Sequence, residues 1–139
     1  MENQIWRLEW SDDLSVGIPD IDEQHRDFID LVNGLNQAII DRADLPDIRS
    51  KLKAIREQAR EDFADEEEFF RQLGYPDTAH HMQEHEAIIN SLSEMVDTLS
   101  DESTMYEWIE VGLKLKETLI EHLLNEDMRY RDYYRSLQH

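Results

Sequence analysis

The stretch HHMQEH, residues 80–85, sets His81 and His85 four positions apart. On a helix two imidazoles at that spacing stand one turn apart on the same face, where both can reach one metal ion. Near the C-terminus HLLNED supplies His122 and, five positions later, Asp127, while DEQH in the first quarter supplies His25. Between them EDFADEEEFF, residues 61–70, crowds six acids and three phenylalanines into ten positions. Most acids in such a run form a solvated face, and Glu61, Asp65, Glu67 and Glu68 read that way. Asp62 and Glu66 do not, because they recur in step with apolar residues. An inward carboxylate is costly unless a cation meets it, and imidazole mixed with carboxylate suits iron, manganese or zinc.

Groups so far apart in sequence can meet only if regular elements bring them together, and the apolar spacing specifies helices. In the first, His25, Phe28, Ile29, Val32, Leu35 and Ile39 recur at steps of three and four. The second carries the seam Leu52, Ile55, Ala59, Asp62, Glu66, Phe69 and Leu73, and Gly74 is its natural C-cap. Ile88, Ile89, Leu92, Met95, Val96 and Leu99 mark the third, with Asp77 as N-cap, and Ile109, Leu115, Leu119, Leu123 and Tyr130 mark the fourth. The helices run over about 19–41, 46–73, 77–100 and 105–137, after an N-terminal arm, about 1–18, that contains Trp6 and Trp10. Short connections make consecutive helices antiparallel, so the expected fold is all-α, an up-down-up-down four-helix bundle. With 139 residues, four glycines and three prolines, the chain fits one domain over residues 1–139 and leaves little room for the turns of a sheet protein.

Seven groups, His25, Asp62, Glu66, His81, His85, His122 and Asp127, fall on inward faces of all four helices, in the halves that antiparallel packing brings to one level. Four of the six histidines are among them. Asp127 is offset from His122 by about 140° on an ideal helix, so joining one site requires a favourable rotamer or a local widening such as a π-bulge. His80 and His139 lack such company and read as surface residues.

A net charge of −19 argues against nucleic acid and anionic membrane surfaces as partners. No cysteine is present, so neither a disulfide framework nor a thiolate metal site is available. The opening MENQIWRLEW has no signal-peptide pattern and no apolar run is long enough to span a bilayer, which makes a cytoplasmic location the expectation.

The matching elements Trp10, VGIPDIDEQH, DFADEE, GYPDTAHHMQEH and HLLNED span nearly the whole chain, which resembles the hemerythrins, specifically the single-domain bacterial ones. That resemblance implies a non-haem di-iron centre inside the bundle. His81, His85 and His122 would hold one iron, His25 would help hold the other, and Glu66 and Asp127 would bridge them. Dioxygen, or another small diatomic or anionic ligand, would bind at the second iron, with Phe63, Leu123 and Leu124 near its apolar pocket. Where the family pattern has His-Phe-x-x-Glu-Glu, this chain has Asp62-Phe63-Ala64-Asp65-Glu66-Glu67. An aspartate therefore replaces the second histidine of the oxygen-binding iron, and its charge implies faster autoxidation.

Two iron ions and an oxygen carrier, store or sensor are the expected cofactor and function. A carboxylate-enriched site also moves toward di-iron oxidases or peroxidases, the alternative reading. The pattern His81-Met82-Gln83-Glu84-His85 fits H-x-x-E-H of zinc proteases, yet it leaves His25, Asp62, Glu66 and His122 without a task. A metal-free bundle used for interactions is the remaining possibility. Protein partners are not legible in the sequence.

Overall fold

The computed structural model describes residues 7–99 and 102–137, without the side chains of residues 105, 123 and 124. Trp6 and His139 fall outside it, as do residues 100 and 101, where the sequence places the end of the third helix. Among the described residues every regular element is helical. The elements are a 3-10 turn at Asp12–Leu14, then α1 (Pro19–Ile40), α2 (Leu45–Leu73), α3 (Thr78–Thr98) and α4 (Met105–Glu121). A π-helical turn at His122–Glu126 then leads into α5 (Asp127–Ser136). The last arm is thus one helical path in three segments, where the sequence reads a single helix.

Local chemistry sets the ends. Pro19 opens α1, where its missing N–H leaves no hydrogen bond unmade. Gly74 closes α2 with a φ of 68°, a left-handed conformation that suits glycine, and Tyr75 N–H donates back to Phe70 O at 3.0 Å. At the start of α4, Thr104 and Glu107 form a reciprocal capping box, each side chain accepting from the other's backbone N–H.

Cross-helix bonds show the antiparallel order. Arg49 donates to Val96 O near one end of the α2–α3 pair, and Arg71 approaches Met82 near the other. Between α1 and the last arm, Asn36 meets Gly112 while His25 meets Asp127. The Asn36 contact is unusually close. A Cβ built on Gly112 would lie 2.0 Å from Asn36 Oδ1, so only a residue without one fits there unmoved.

Among the described residues the interior has two main apolar regions, besides a small one where Leu14 meets Ile29 beneath the arm. The larger is built on Val32, Leu35, Ile48, Leu52, Leu92, Trp108 and Leu115, all essentially sealed from solvent. Burying each such aliphatic side chain contributes about 1.5–3 kcal/mol. The smaller, near the opposite end, gathers Val16, Ile18, Ile21, Phe70, Tyr75 and Tyr130. Two seam assignments shift by one residue. Ile109 is exposed and its neighbour Trp108 is buried instead, and Phe70 rather than the half-buried Phe69 enters the core.

The arm is fastened by side chains of α1. Asp22 accepts from Ser15 Oγ and from Val16 N–H at 2.9 Å, and Asn33 exchanges bonds of 2.8 and 2.7 Å with the backbone of Leu8. Arg26 lies over the Trp10 ring at 4.8 Å. No described helix is long and apolar enough to cross a membrane.

Candidate metal centre

Between the two apolar regions every helical arm turns polar groups inward. α1 contributes His25, α2 contributes Asp62 and Glu66, α3 contributes His81 and His85, and the last arm contributes His122 and Asp127. All seven are buried. The i,i+4 spacing places His81 and His85 on one face of α3, with ring centroids 4.7 Å apart. The π turn solves the awkward spacing in the last arm. Starting at His122, its wider turn advances about one extra residue, which brings Asp127 onto the face that His122 occupies.

The side chains converge on two cation-sized sites that share Glu66. One joins Glu66 with His81, His85 and His122, the other joins it with His25 and Asp127, and in each the ligand atoms lie within 4.8 Å of one another. His25 Nε2 is 2.7 Å from Glu66 Oε1 and 3.4 Å from Asp127 Oδ2. On the other side His85 Nε2 is 3.2 Å from Glu66 Oε2, and His81 and His122 Nε2 lie 3.0 and 3.2 Å from Asp127 Oδ1. Each of the two acids thus faces histidines on both sides.

His25–Glu66 and His81–Asp127 are hydrogen bonds, but they leave other atoms of the cluster unsatisfied. His85 Nε2, His122 Nε2, Glu66 Oε2 and Asp127 Oδ2 are buried with no hydrogen-bond partner. Lone pairs left over in this way, all aimed at common space, are what a metal ion requires of its ligands. The donor set fits iron, manganese or zinc, the metals expected of imidazole and carboxylate together.

Without metal the electrostatics depend on protons. Burial works against a charged His25 ring, but the hydrogen bond to Glu66 and the charges of Asp127, Glu66 and Asp22 outweigh it, raising its pKa to about 9. His122 is raised too, with burial opposed by Asp127. Burial pushes Glu66 and Asp127 upward, joined at Glu66 by the charge of Asp127, yet the surrounding imidazoles prevail and hold both carboxyls well below the usual range.

Asp62 stands apart. It lies one turn before Glu66, but its oxygens are not among those that converge, and Oδ1 instead accepts from Gln58 Nε2 at 2.9 Å. Burial, opposed by the Gln58 bond and reinforced by Glu66, pushes its carboxyl up to about 6. It also lines a surface cavity of about 330 Å3 whose wall includes Asp27, Asp30, Glu61 and Asp65.

Phe63 stacks flat on His85, with centroids 3.8 Å apart and 3° between planes, and is tilted against His122 at 5.7 Å. It walls the three-histidine side, beside a groove of about 510 Å3 between α2 and α3. The side chains of Leu123 and Leu124 lie outside those described. His80 is exposed.

Two residues matter that the periodicity had assigned to the solvated face or passed over. Glu67 accepts from His85 Nδ1 at 2.9 Å, and Gln58 holds Asp62. Glu67 follows Glu66 directly, so a helix wheel places it at the flank, where only the neighbouring α3 reveals its partner. An ionised carboxylate only accepts, so Glu67 fixes the proton on Nδ1 and leaves Nε2 bare toward the centre.

Residues 16–133 match the Hemerythrin HHE cation binding domain. A bacteriohemerythrin from Stenotrophomonas maltophilia is 31% identical over 133 residues, covering 90% of this chain and 80% of that protein. One from Clostridium acetobutylicum is 29% identical, covering 88% of this chain and 98% of its own length. A myohemerythrin from Theromyzon tessulatum is 24% identical, covering 88% and 90% respectively.

Proposed function

This chain belongs to the hemerythrin family, and from that premise we propose that it holds two iron ions in the polar half of its bundle and uses them to bind dioxygen. The observation that carries the reading is the pair of three- and four-ligand clusters joined through Glu66, with buried nitrogen and oxygen lone pairs that no hydrogen bond satisfies. His81, His85 and His122 would hold one ion and His25 the other. Glu66 and Asp127, each within reach of histidines on both sides, would bridge them. When bound, the iron pair supplies the electrons that reversible oxygen binding requires.

The chain's own groups prepare that site. Glu67 orients His85, and Phe63 packs flat against the same ring, keeping water from that face. His25 carries its extra proton at neutral pH in the metal-free protein and must release it to become a ligand, and Asp127 favours the protonated form of His122 too, so metal uptake is coupled to proton release.

Asp62 favours a second reading, that of a di-iron oxidase or peroxidase. At the position of a family histidine it adds a carboxylate and borders an acid-lined cavity open to solvent, which gives protons and uncharged peroxide access to that side while its carboxylates repel anions. Asp62 bonds Gln58 rather than joining the cluster, so its charge would act on the iron pair through space, by less than the about 4 kcal/mol per unit of opposite charge that a separation of about 4 Å gives at an effective dielectric near 20. Ferric iron gains more than ferrous, so the oxidised state is favoured and autoxidation is fast.

Metal analysis of the purified protein, with absorption spectra of the reduced form before and after air, tests the proposal. Two irons per chain and an oxygen-dependent visible band that reverses on removing oxygen are expected. Repeated turnover of oxygen or peroxide with an electron donor would select the oxidase instead, and absence of iron would end both readings.

A further inference from the structure

Outside the buried centre, one ligand atom from each of His80, Glu84 and Glu126 lies within 4.8 Å of the other two. His80 Nε2 is 3.3 Å from Glu126 Oε2 and 4.0 Å from Glu84 Oε1. We propose that these three side chains form a second, solvent-facing site for a divalent first-row transition ion, with zinc as the probe of choice.

The site follows from the register of the inner one. His80 and Glu84 are the chain neighbours of His81 and His85, so they keep the same one-turn spacing, rotated by about 100° around α3. Glu126 is likewise the neighbour of Asp127. In an unbroken α-helix Glu126, four residues after His122, would share its inward face. The π turn hands that face to Asp127 and leaves Glu126 at the flank, opposite His80. The turn that completes the inner cluster therefore also supplies the third member of the outer one.

Its chemistry selects the ion. One imidazole and two carboxylates, with water completing the shell, match zinc, cobalt or nickel, whereas calcium and magnesium are hard ions that prefer oxygen and gain little from the imidazole nitrogen. Among the described residues, His80 is the only basic partner of either glutamate, so no lysine or arginine has to be displaced. The side chain of Glu126 is only 15% exposed, and its geometry is constrained by the helix beneath it. His80 and Glu84, at 48% and 44%, stay reachable from solvent.

Zinc titration by calorimetry of the metal-loaded protein, compared with His80→Ala and Glu126→Gln, tests the site. One equivalent more is expected in the wild type than in either variant, or binding weakened at least about tenfold, with the visible spectrum of the loaded centre unchanged throughout. Because the equivalent is counted between wild type and variant, the result stands whatever metal the buried centre holds. Glu86→Gln, an exposed acid outside the triad, should bind zinc like the wild type. The proposal is overturned if wild type and variants take up zinc equally, if millimolar magnesium removes the extra equivalent, or if zinc binds only as the spectrum of the buried centre is lost.

Discussion

Val32, Leu35 and Leu52 in one half of the bundle are wholly buried at 0% exposure, and the seven polar groups of the other half are nearly as well hidden, at 1–8%. The same four helical arms run through both, and only the π turn of the last arm sets their spacing apart. What differs is the source of stability. An aliphatic side chain gains by leaving water and asks nothing specific of its neighbours. A buried carboxylate loses by the same step and depends on an opposite charge to make it tolerable. The apolar half therefore holds together unaided, while the polar half is conditional on protons or metal.

The comparison breaks first at a histidine. His122→Ala or His81→Ala should lower iron content and destabilise the bundle by about 3–5 kcal/mol, the usual cost of removing one partner of a buried charged pair. Iron analysis and thermal unfolding measure both effects, and unchanged iron in the two variants would mean that these rings are not ligands. Leu35→Ala should cost about 2–5 kcal/mol through the cavity it leaves. That loss should be equal in loaded and stripped protein, since no metal is involved. A loss confined to one of the two states would erase the distinction between the halves.

Chelation sharpens the contrast. Stripped protein should melt lower, because a bound ion stabilises the native state by mass action, and its stability should now follow pH. His25, raised to about 9, contributes stability that is fully present below its ordinary value near 6.5 and is lost as pH rises through 9. Glu66 and Asp127, both lowered, contribute above the ordinary carboxylate range and lose that contribution only in strong acid. These shifts describe one set of contacts seen from both partners and are not summed. Denaturant midpoints of stripped protein should therefore fall between pH 6.5 and 9, and a flat profile would show the cluster to be uncoupled from folding.

Asp62 gives the smaller effects. Its raised carboxyl opposes folding once pH climbs from about 4 through about 6, so Asp62→Asn should stabilise stripped protein near pH 7 by about 1 kcal/mol and do nothing near pH 3. Asp62→His should slow autoxidation severalfold when the reduced protein is mixed with oxygen in a stopped-flow instrument. Equal rates for wild type and variant would place Asp62 outside the electrostatic reach of the centre.

The sequence made the helices, the inward histidines and the misfit of Asp127 on an ideal helix readable, because three- and four-residue recurrence fixes the face of a helix, while the choice between a rotamer and a wider turn needed the structure. Phase was less secure where apolar residues adjoin. Trp108 and Ile109 both satisfy the pattern, and the larger ring takes the interior, whereas Phe70 displaces Phe69 because its neighbours there are Tyr75, His81 and Tyr130. Glu67 and Gln58 escaped for a different reason. Each acts on a group already facing inward, and such support is visible only when the partner's position in space is known.

The contact at Gly112 has a mechanical consequence. The two arms that nearly touch there also carry His25 and Asp127, and the stretch of α1 from Asn36 to His25 is about 16 Å long at 1.5 Å per residue. A methyl group added at that point meets the end of the Asn36 side chain first, so it is expected to turn that amide aside and slacken the tie between the two arms, without touching a single ligand.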